Sequence, residues 1–173
     1  WGVVSLTDTV LREGMPALDE AGRLELYAAM RRTVDKSFAP FARRIGQAAH
    51  AEDIRLLGTS GTVTTLASLH LQLPQYDRRA VDGLIVPSHA MRAISARLSR
   101  LSERERGQVP CIGPDRAELV VAGCAILESI LDLWPADRLG VADRGIREGI
   151  LRSLMAADLS GGGRPQHTQP SRR

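Results

Sequence analysis

A short apolar run that leads through a glycine loop into a helical pattern is the feature that most limits the possible folds of this chain. The run "DIRLLG" (53–58) is typical of a strand that is buried on both faces of a sheet. The loop "GTSGT" (58–62) follows it, and the spacing of apolar residues then predicts a helix over about residues 62–72. A strand that turns directly into a helix indicates a protein in which helices cover a sheet.

Two other runs also have the composition of strands. "GVVSLT" (2–7) is rich in β-branched residues, and "DRLGVAD" (137–143) is short, apolar and bounded by turn residues. Between them lie long stretches of helical periodicity. This order predicts an α/β fold with a short mixed sheet flanked by helices, in which the later strands pair in parallel.

Helices are predicted in five places besides 62–72, one of them a short helix that begins at the capping box "SERE" (102–105). A long helix spans about 20–44, where Pro40 introduces a kink or an early end. A second helical region begins at "LIVPSH" (84–89), a third covers "GPDRAELVVAGCAILESILDLW" (113–134), and the last begins at "RGIREG" (144–149). The predicted N-caps are Asp19, Ser88, Ser102 in a capping box with Glu105, Asp115 in a variant box with Glu118, and Asp143.

Gly123 lies in the middle of the predicted helix 113–134. A glycine in a helix interior costs about 1 kcal/mol relative to alanine. Close approach of another backbone or of a ligand would justify that cost, and an ordinary contact between helix and sheet is the alternative.

Composition excludes several classes of protein. The 173 residues are 43% hydrophobic and 25% charged, which excludes a disordered, collagen-like or coiled-coil chain. A net charge of +3 and an aromatic content of 3% argue against a nucleic-acid partner. No apolar run is long enough to cross a bilayer, and no signal-peptide pattern is present, so we expect no membrane partner and a cytoplasmic location.

Cysteine and histidine give no indication of a metal centre. Cys111 and Cys124 are predicted to be reduced, partly buried thiols, because a chain of this length does not need a disulfide. The four histidines are scattered without the paired spacing of zinc ligands. No Ser/His/Asp or Cys/His arrangement indicates a nucleophile, so we expect neither a catalytic residue nor a metal ligand in this chain.

The loop "GTSGT" has two interpretations. Gly58 and Gly61 allow close approach to the backbone, Thr59, Ser60 and Thr62 can donate hydroxyl hydrogen bonds, and a helix N-terminus attracts anions. The loop is not a Walker P-loop, because no Lys follows the second glycine. The pattern therefore leaves a phosphate site and a tight structural turn both open.

Two arginines lie near predicted helix starts. Arg116 and Arg144 would be unfavourable beside a helix N-terminus unless an anion is near. Ligand contact is one explanation, and pairing with Asp115 or Asp143 is the other. Ligands of open α/β sheets collect at the carboxyl ends of strands. Both "GTSGT" and the turn that contains Arg144, after the predicted strand 137–143, would lie there.

Three segments together resemble a known family. "LLGTSGTVTTLASLHLQLPQYDRRAVDG", "CIGPDRAELVVAGCAILESIL" and "GVADRGIREGIL" are similar, in order and spacing, to the exopolyphosphatase/guanosine pentaphosphate phosphohydrolase family. The resemblance covers nearly all of residues 1–157. It implies membership of the superfamily that contains actin, sugar kinases and heat-shock ATPases, whose members have two ribonuclease-H-like domains around a cleft.

The resemblance also implies a reaction. Members remove the terminal phosphate of polyphosphate, or the 5′-γ-phosphate of guanosine pentaphosphate, by in-line attack of water, with Mg²⁺ neutralising phosphate charge and a glutamate as general base. Polyphosphate or guanosine penta- and tetraphosphate are then the expected partners. The residues that inherit phosphate binding are Gly58, Thr59, Ser60, Gly61, Thr62 and Arg116, and Asp143 and Arg144 would line the cleft.

The resemblance further implies that part of the enzyme lies elsewhere. We expect residues 1–157 to form a C-terminal ribonuclease-H-like domain without its first phosphate hairpin, and residues 158–173 to be a disordered basic tail. The glutamate and the first phosphate loop would precede Trp1, so the chain alone is expected to be inactive and to bind no Mg²⁺ tightly. The unpaired edge of the predicted strand 2–7 would favour a homodimer.

Two other functions remain open. One is a non-catalytic module that binds an alarmone or another nucleotide. The other is a phosphotransferase related to acetate or sugar kinases.

Overall fold

The computed structural model describes residues 2–12, 19–46 and 55–160, and these form a first compact unit, Trp1–Asp143, and a second, Arg144–Arg173. The strands are β1 (Leu56–Gly58), β2 (Ile85–Pro87) and β3 (Arg138–Val141). The helices are α1 (Val3–Arg12), α2 (Glu20–Ile45), α3 (Gly61–His70), α4 (Arg78–Val81), α5 (Ser88–Arg100), α6 (Glu103–Gly107), α7 (Pro114–Ala117), α8 (Leu119–Leu133) and α9 (Ile146–Ser160). No helix in the described ranges is long and apolar enough to cross a membrane.

Helix α8 lies at the centre of the first unit. Most of its residues are apolar and ten of them are buried, which is the pattern of a helix largely surrounded by protein. Helices α1, α2, α3 and α5 all pack against it. Its buried residues are Val120, Val121, Ala122, Gly123, Cys124, Ala125, Leu127, Glu128, Ser129 and Leu131.

The long helix α2 covers one side of α8, and its predicted N-cap is confirmed. The Asp19 carboxylate accepts a hydrogen bond of 2.7 Å from the Gly22 N–H. An ion pair of 3.2 Å joins Arg31 of α2 to Glu128 of α8. Burial raises the pKa of Glu128, and the neighbouring Arg31 opposes that rise.

The predicted early end of α2 at Pro40 is wrong, because the helix continues to Ile45. Proline removes one backbone hydrogen bond from the helix. Packing around it compensates, since the rings of Phe38 and Phe41 both contact Trp134 edge-on, with centroids 6.0 and 5.8 Å away.

The predicted strand 2–7 is wrong, because these residues begin helix α1. A strand would place alternate residues on one face, but Val4 is 54% exposed while Leu6 and Val10 are fully buried. The spacing of the buried residues is helical, and their face packs on α8 and α2. The edge strand on which the predicted homodimer depended is therefore not present.

The sheet is small and mixed, with the order β1-β3-β2. β1 pairs with β3 in parallel, Leu56 opposite Leu139, and β2 pairs antiparallel with β3, Ile85 opposite Gly140. The predicted α/β class, with a short mixed sheet flanked by helices, is confirmed. The strand predicted over 53–58 is an edge strand rather than a doubly buried one, because Leu57 is 65% exposed, and its first two residues lie outside the described ranges.

Three predictions of element boundaries are wrong. The segment 85–87 forms β2 rather than the start of a helix, so α5 begins directly after Pro87 and Ser88 is its first residue instead of its cap. The variant capping box at Asp115 does not form, because Gly113, at φ 69°, caps the short helix α7 and a new helix starts at Leu119. Helix α9 continues to Ser160, so the first residues of the predicted tail are helical, and 161–173 lie outside the described residues.

Other local predictions are confirmed. Ser102 and Glu105 form the capping box, with the Ser102 N–H donating to Glu105 at 2.7 Å. Cys111 and Cys124 are both free thiols. Burial raises the pKa of the Cys124 thiol to about 12, so this cysteine is an inert core residue.

Gly123 allows a very close contact between α3 and α8. A Cβ atom built on Gly123 would lie 2.0 Å from Oγ1 and 2.7 Å from Cγ2 of Thr62. A neighbour does approach this glycine closely, but it is the Thr62 side chain at the start of α3 and not another backbone or a ligand, as was predicted.

We expect Gly123→Ala to destabilise the protein, although alanine is the better helix former. Overpacking against Thr62 costs about 1–3 kcal/mol, more than the gain of about 1 kcal/mol in helix propensity. Urea denaturation measures the change in the free energy of unfolding.

Two further variants make this prediction specific. Gly149→Ala in α9 should not destabilise, since its added methyl group would meet nothing within 4 Å. Adding Thr62→Ala to Gly123→Ala should recover part of the lost stability. The prediction fails if Gly123→Ala is as stable as the wild type, or if the second change recovers nothing.

Candidate anion-binding site

The loop between β1 and α3 leaves backbone N–H groups available. Ser60 is the N-cap of α3, and its Oγ accepts from the Val63 N–H at 3.3 Å while its carbonyl accepts from the Thr64 N–H at 3.1 Å. The N–H groups of Gly61 and Thr62 have no acceptor among the residues that the structure describes. Unpaired N–H groups at the positive end of a helix dipole favour an anion.

These residues border a cavity of about 510 Å³. Ser60, Gly61 and Thr62 contribute to one wall, and Arg116 of α7 lies on another. The start of α1, at Gly2 and Val3, also reaches the cavity, whose remaining wall is formed by Thr65, Leu119, Val120, Gly123 and Ile126.

The two glycines of the loop differ in what the lack of a side chain achieves. A Cβ on Gly58 would lie 2.7 Å from both methyl groups of Val63, so this glycine is required by packing inside the protein. A Cβ on Gly61 would meet nothing within 4 Å, and its φ is not in the left-handed region. Neither packing nor backbone conformation requires a glycine at 61, and its effect is to leave space beside the cavity.

Arg116 presents its guanidinium to the same cavity. The side chain is exposed, and one contact is a long hydrogen bond of 3.5 Å from Nη1 to Thr65 Oγ1. Within the described ranges, no carboxylate lies within ion-pair distance of Arg116, so the alternative of pairing with Asp115 is not observed. Most of its five N–H donors remain available for an anion.

Asp143 has a different environment. Its carboxylate accepts a hydrogen bond from the Tyr76 hydroxyl and forms an ion pair of 3.2 Å with Arg78. Partial burial, and after it this hydrogen bond, raises the pKa of Tyr76 to about 12. The prediction of Asp143 as N-cap of the last helix is wrong, because α9 begins only at Ile146.

The structure thus brings together part of the predicted set. Ser60, Gly61, Thr62 and Arg116 share the cavity, whereas Gly58, Thr59 and Asp143 are not among its lining residues. Arg144 belongs to the second compact unit. Phosphate binding by these residues, and a position at the cleft for Asp143 and Arg144, stay predictions.

Sequence reasoning missed the start of α1 and the apolar wall from α8. The β-branched residues of 2–7 suggested a strand, which concealed a second helix N-terminus at Gly2 and Val3. The wall on α8 was detectable, because Leu119, Gly123 and Ile126 recur at helical spacing and lie on one face.

The donors of this site suit an anion rather than a cation. Backbone N–H groups, hydroxyls and a guanidinium line the cavity, and its described lining contains no carboxylate. The described residues also contain no group of three His, Cys, Asp or Glu side chains that could hold a metal ion. The described lining of the cavity thus offers none of the carboxylates through which proteins bind Mg²⁺.

Comparisons with known proteins identify the family to which this chain is similar. The sequence profile of the Ppx/GppA phosphatase family matches residues 1–158. Exopolyphosphatase 2 of Mycobacterium tuberculosis is 27% identical over 158 residues, which is 88% of this chain and 46% of that protein.

Solved structures share the fold. The crystal structure of the Aquifex aeolicus Ppx/GppA family member aligns with a TM-score of 0.72 at 24% identity, over 94% of this chain and 48% of that one. An exopolyphosphatase from Cytophaga hutchinsonii aligns with a TM-score of 0.64 at 21% identity, over 76% of this chain and 42% of that one. The chain thus spans about half the length of the relatives that it matches. Because the family profile covers nearly all of the chain, the chain belongs to the Ppx/GppA phosphatase family.

Proposed function

We propose that this chain is part of a phosphohydrolase that releases the terminal phosphate of inorganic polyphosphate, and that it supplies one side of the phosphate-binding site. The observation that carries the proposal is the shared cavity of Arg116 and the first turn of α3. The names of the relatives in M. tuberculosis and C. hutchinsonii, both exopolyphosphatases, support polyphosphate as the substrate.

The role of each residue follows from its donors. The N–H groups of Gly61 and Thr62 can donate hydrogen bonds to phosphate oxygens, and the positive end of the α3 dipole attracts the negative charge. The Ser60 hydroxyl can add a further donor. The Arg116 fork can bind two oxygens of one phosphate group. Phosphoryl transfer depends mostly on positioning and on stabilising charge, and these groups supply both without moving a proton.

The general base is expected elsewhere in the enzyme. No carboxylate lies among the described residues that line the cavity, so none is placed to accept a proton from an attacking water. We therefore propose that the 173-residue chain binds phosphate chains but hydrolyses them poorly.

A second candidate is binding of a guanosine penta- or tetraphosphate. It is favoured by the apolar wall that Leu119, Val120 and Ile126 form beside the anion donors. Inorganic polyphosphate has no apolar part to occupy this wall, whereas a nucleotide could bury its base there.

We expect Arg116→Ala to weaken binding of polyphosphate by about ten- to a hundredfold, because hydrogen bonds to charged groups contribute about 1.5–3 kcal/mol. Arg116→Lys should retain part of the affinity, since lysine keeps the charge but loses the two-donor fork. Isothermal titration of the chain with polyphosphate measures both effects.

The matched control is Arg97→Ala, which removes an exposed arginine of α5 that does not line the cavity. This variant should bind nearly as the wild type does. Equal losses for Arg97→Ala and Arg116→Ala would show only a general charge effect and would contradict a site at the cavity.

We expect the purified 173-residue chain to release little or no phosphate from polyphosphate in the presence of Mg²⁺. The reason is the lack of a carboxylate in the described cavity lining. A phosphate-release assay measures this, with a full-length family member as the positive control. Robust turnover that Arg116→Ala abolishes would show that the chain carries its own catalytic base.

The two candidate ligands differ in their dependence on the apolar wall. We expect Leu119→Ala to leave polyphosphate affinity unchanged within about twofold, because neither side chain has a donor for phosphate. If the guanine base of guanosine pentaphosphate binds at the apolar wall, the same variant should clearly lower the affinity for that nucleotide. Nucleotide binding that is tighter than polyphosphate binding and sensitive to Leu119→Ala would favour the second candidate.

A further inference from the structure

A second, smaller cavity lies among helices α1, α2, α5, α6 and α8. Its volume is about 150 Å³, and it shares no lining residue with the cavity beside Arg116. Leu26, Met30 and Val121 form a buried apolar part of its wall. The polar residues of its described lining are Thr7, Arg23, Ser99, Glu103, Arg106 and Glu118.

Arg106 brings a buried positive charge to this cavity. The residue is only 9% exposed, and its Nε donates a hydrogen bond of 2.6 Å to the Ala117 carbonyl while Nη1 donates to the Leu101 carbonyl. Within the described ranges, no carboxylate lies within ion-pair distance of its guanidinium. Buried charges in proteins are normally paired, so this one lacks its usual partner while further N–H donors remain.

Arg23 brings a second positive charge to the same cavity. Its Nε donates to the Arg100 carbonyl at 2.7 Å, and among the residues that the structure describes it also forms no ion pair. Burial lowers the pKa of Arg106, the charge of Glu103 opposes this effect, and the charge of Arg23 adds to it. An anion inside the cavity would relieve the repulsion between the two arginines.

Thr7 provides independent evidence for a ligand. The residue is 2% exposed, and its Oγ1 has no hydrogen-bond partner in the described part of the chain. A threonine in a helix can donate to the carbonyl four residues earlier, as Thr9 does to Ser5 at 2.8 Å, but Thr7 does not. A buried hydroxyl without a partner is unfavourable, and a ligand in the cavity that Thr7 lines can supply the missing acceptor.

The exposed part of the cavity wall has the opposite charge. Glu103 and Glu118 both line the cavity, and both are exposed to solvent. Their carboxylates would repel a ligand that carries only negative charge, such as phosphate, and would attract a positive group. The lining therefore suits a ligand that is negative at its inner end and positive at its outer end.

We propose that this cavity binds a small free amino acid. The carboxylate of the ligand accepts hydrogen bonds from Arg106 and Thr7, and its ammonium group lies near Glu103 and Glu118. A cavity of about 150 Å³ is large enough for a molecule of the size of benzene, and alanine is of this size. The site is separate from the cavity beside Arg116 and does not depend on the function proposed for that cavity.

The test compares three small molecules by thermal unfolding of the 173-residue chain, because a ligand of the folded state raises the unfolding temperature. The molecules are alanine, propionate, which lacks the ammonium group, and ethylamine, which lacks the carboxylate. We expect alanine to bind about threefold more tightly than propionate, and ethylamine not to bind. A chain that alanine does not stabilise, or that inorganic phosphate stabilises more than alanine does, would overturn the proposal.

The inner end of the site is tested by Thr7→Val, which keeps the shape of the side chain and removes the hydroxyl. We expect this variant to bind alanine about tenfold more weakly, because it loses a hydrogen bond to a charged group. Without ligand it should be at least as stable as the wild type, since the lost hydroxyl has no partner. Thr9→Val is the matched control, on the same helix but outside the cavity, and an equal loss of affinity in both variants would contradict the site.

The outer end is tested by the double variant Glu103→Gln/Glu118→Gln. Loss of both carboxylates should weaken binding of alanine and strengthen binding of propionate, so that the preference for alanine disappears. Glu25→Gln removes an exposed carboxylate of α2 that does not line the cavity, and it should leave the preference unchanged. If the double variant still prefers alanine as the wild type does, the assignment of the ammonium group is wrong and the proposal fails.

Discussion

The contact of the Thr62 side chain with the bare backbone of Gly123 is the constraint on which the proposed anion site depends. It places the first turn of α3 directly on α8, the helix around which the first unit is packed. The donors of the loop are thus fixed relative to the core through the Thr62 side chain alone, because Gly123 contributes no side chain of its own. A larger residue at either position would move the turn away from Arg116, and an anion site of this kind requires donors to be held within a few tenths of an ångström.

The site is built mainly from backbone, and this affects how it can change. Its N–H donors belong to Gly61 and Thr62 and are oriented by the Ser60 cap, so most substitutions in the loop alter their surroundings rather than the donors themselves. Arg116 is different, because it comes from the short helix α7 and its guanidinium is held by a long hydrogen bond to Thr65. If the cavity binds phosphate compounds as proposed, its selectivity among them is more easily changed at Arg116 and on the apolar wall of α8 than in the loop.

Local patterns explain what could be predicted from the sequence. The Asp19 cap and the Ser102–Glu105 box depend on residues within one helical turn of each other. Gly123 was noticeable because a glycine inside a helix lowers the stability of that helix, so a close neighbour was expected there. The errors came where distant partners decide. The β-branched start of α1 is helical because α8 and α2 cover one of its faces, and β2 is too short for a pattern. Asp143 is bound by Tyr76 and Arg78, more than 60 positions earlier in the chain, which no local pattern indicates.

The open space beside Gly61 has a practical consequence. A cysteine at this position would be tolerated by the fold, because a Cβ there meets nothing within 4 Å. The native thiols would interfere little, since Cys124 is fully buried and the Cys111 Sγ is hydrogen-bonded to the Leu73 carbonyl. The rate at which an alkylating reagent modifies such a cysteine would then report the fraction of cavities that hold a ligand. Occupancy could thus be followed without any enzymatic turnover.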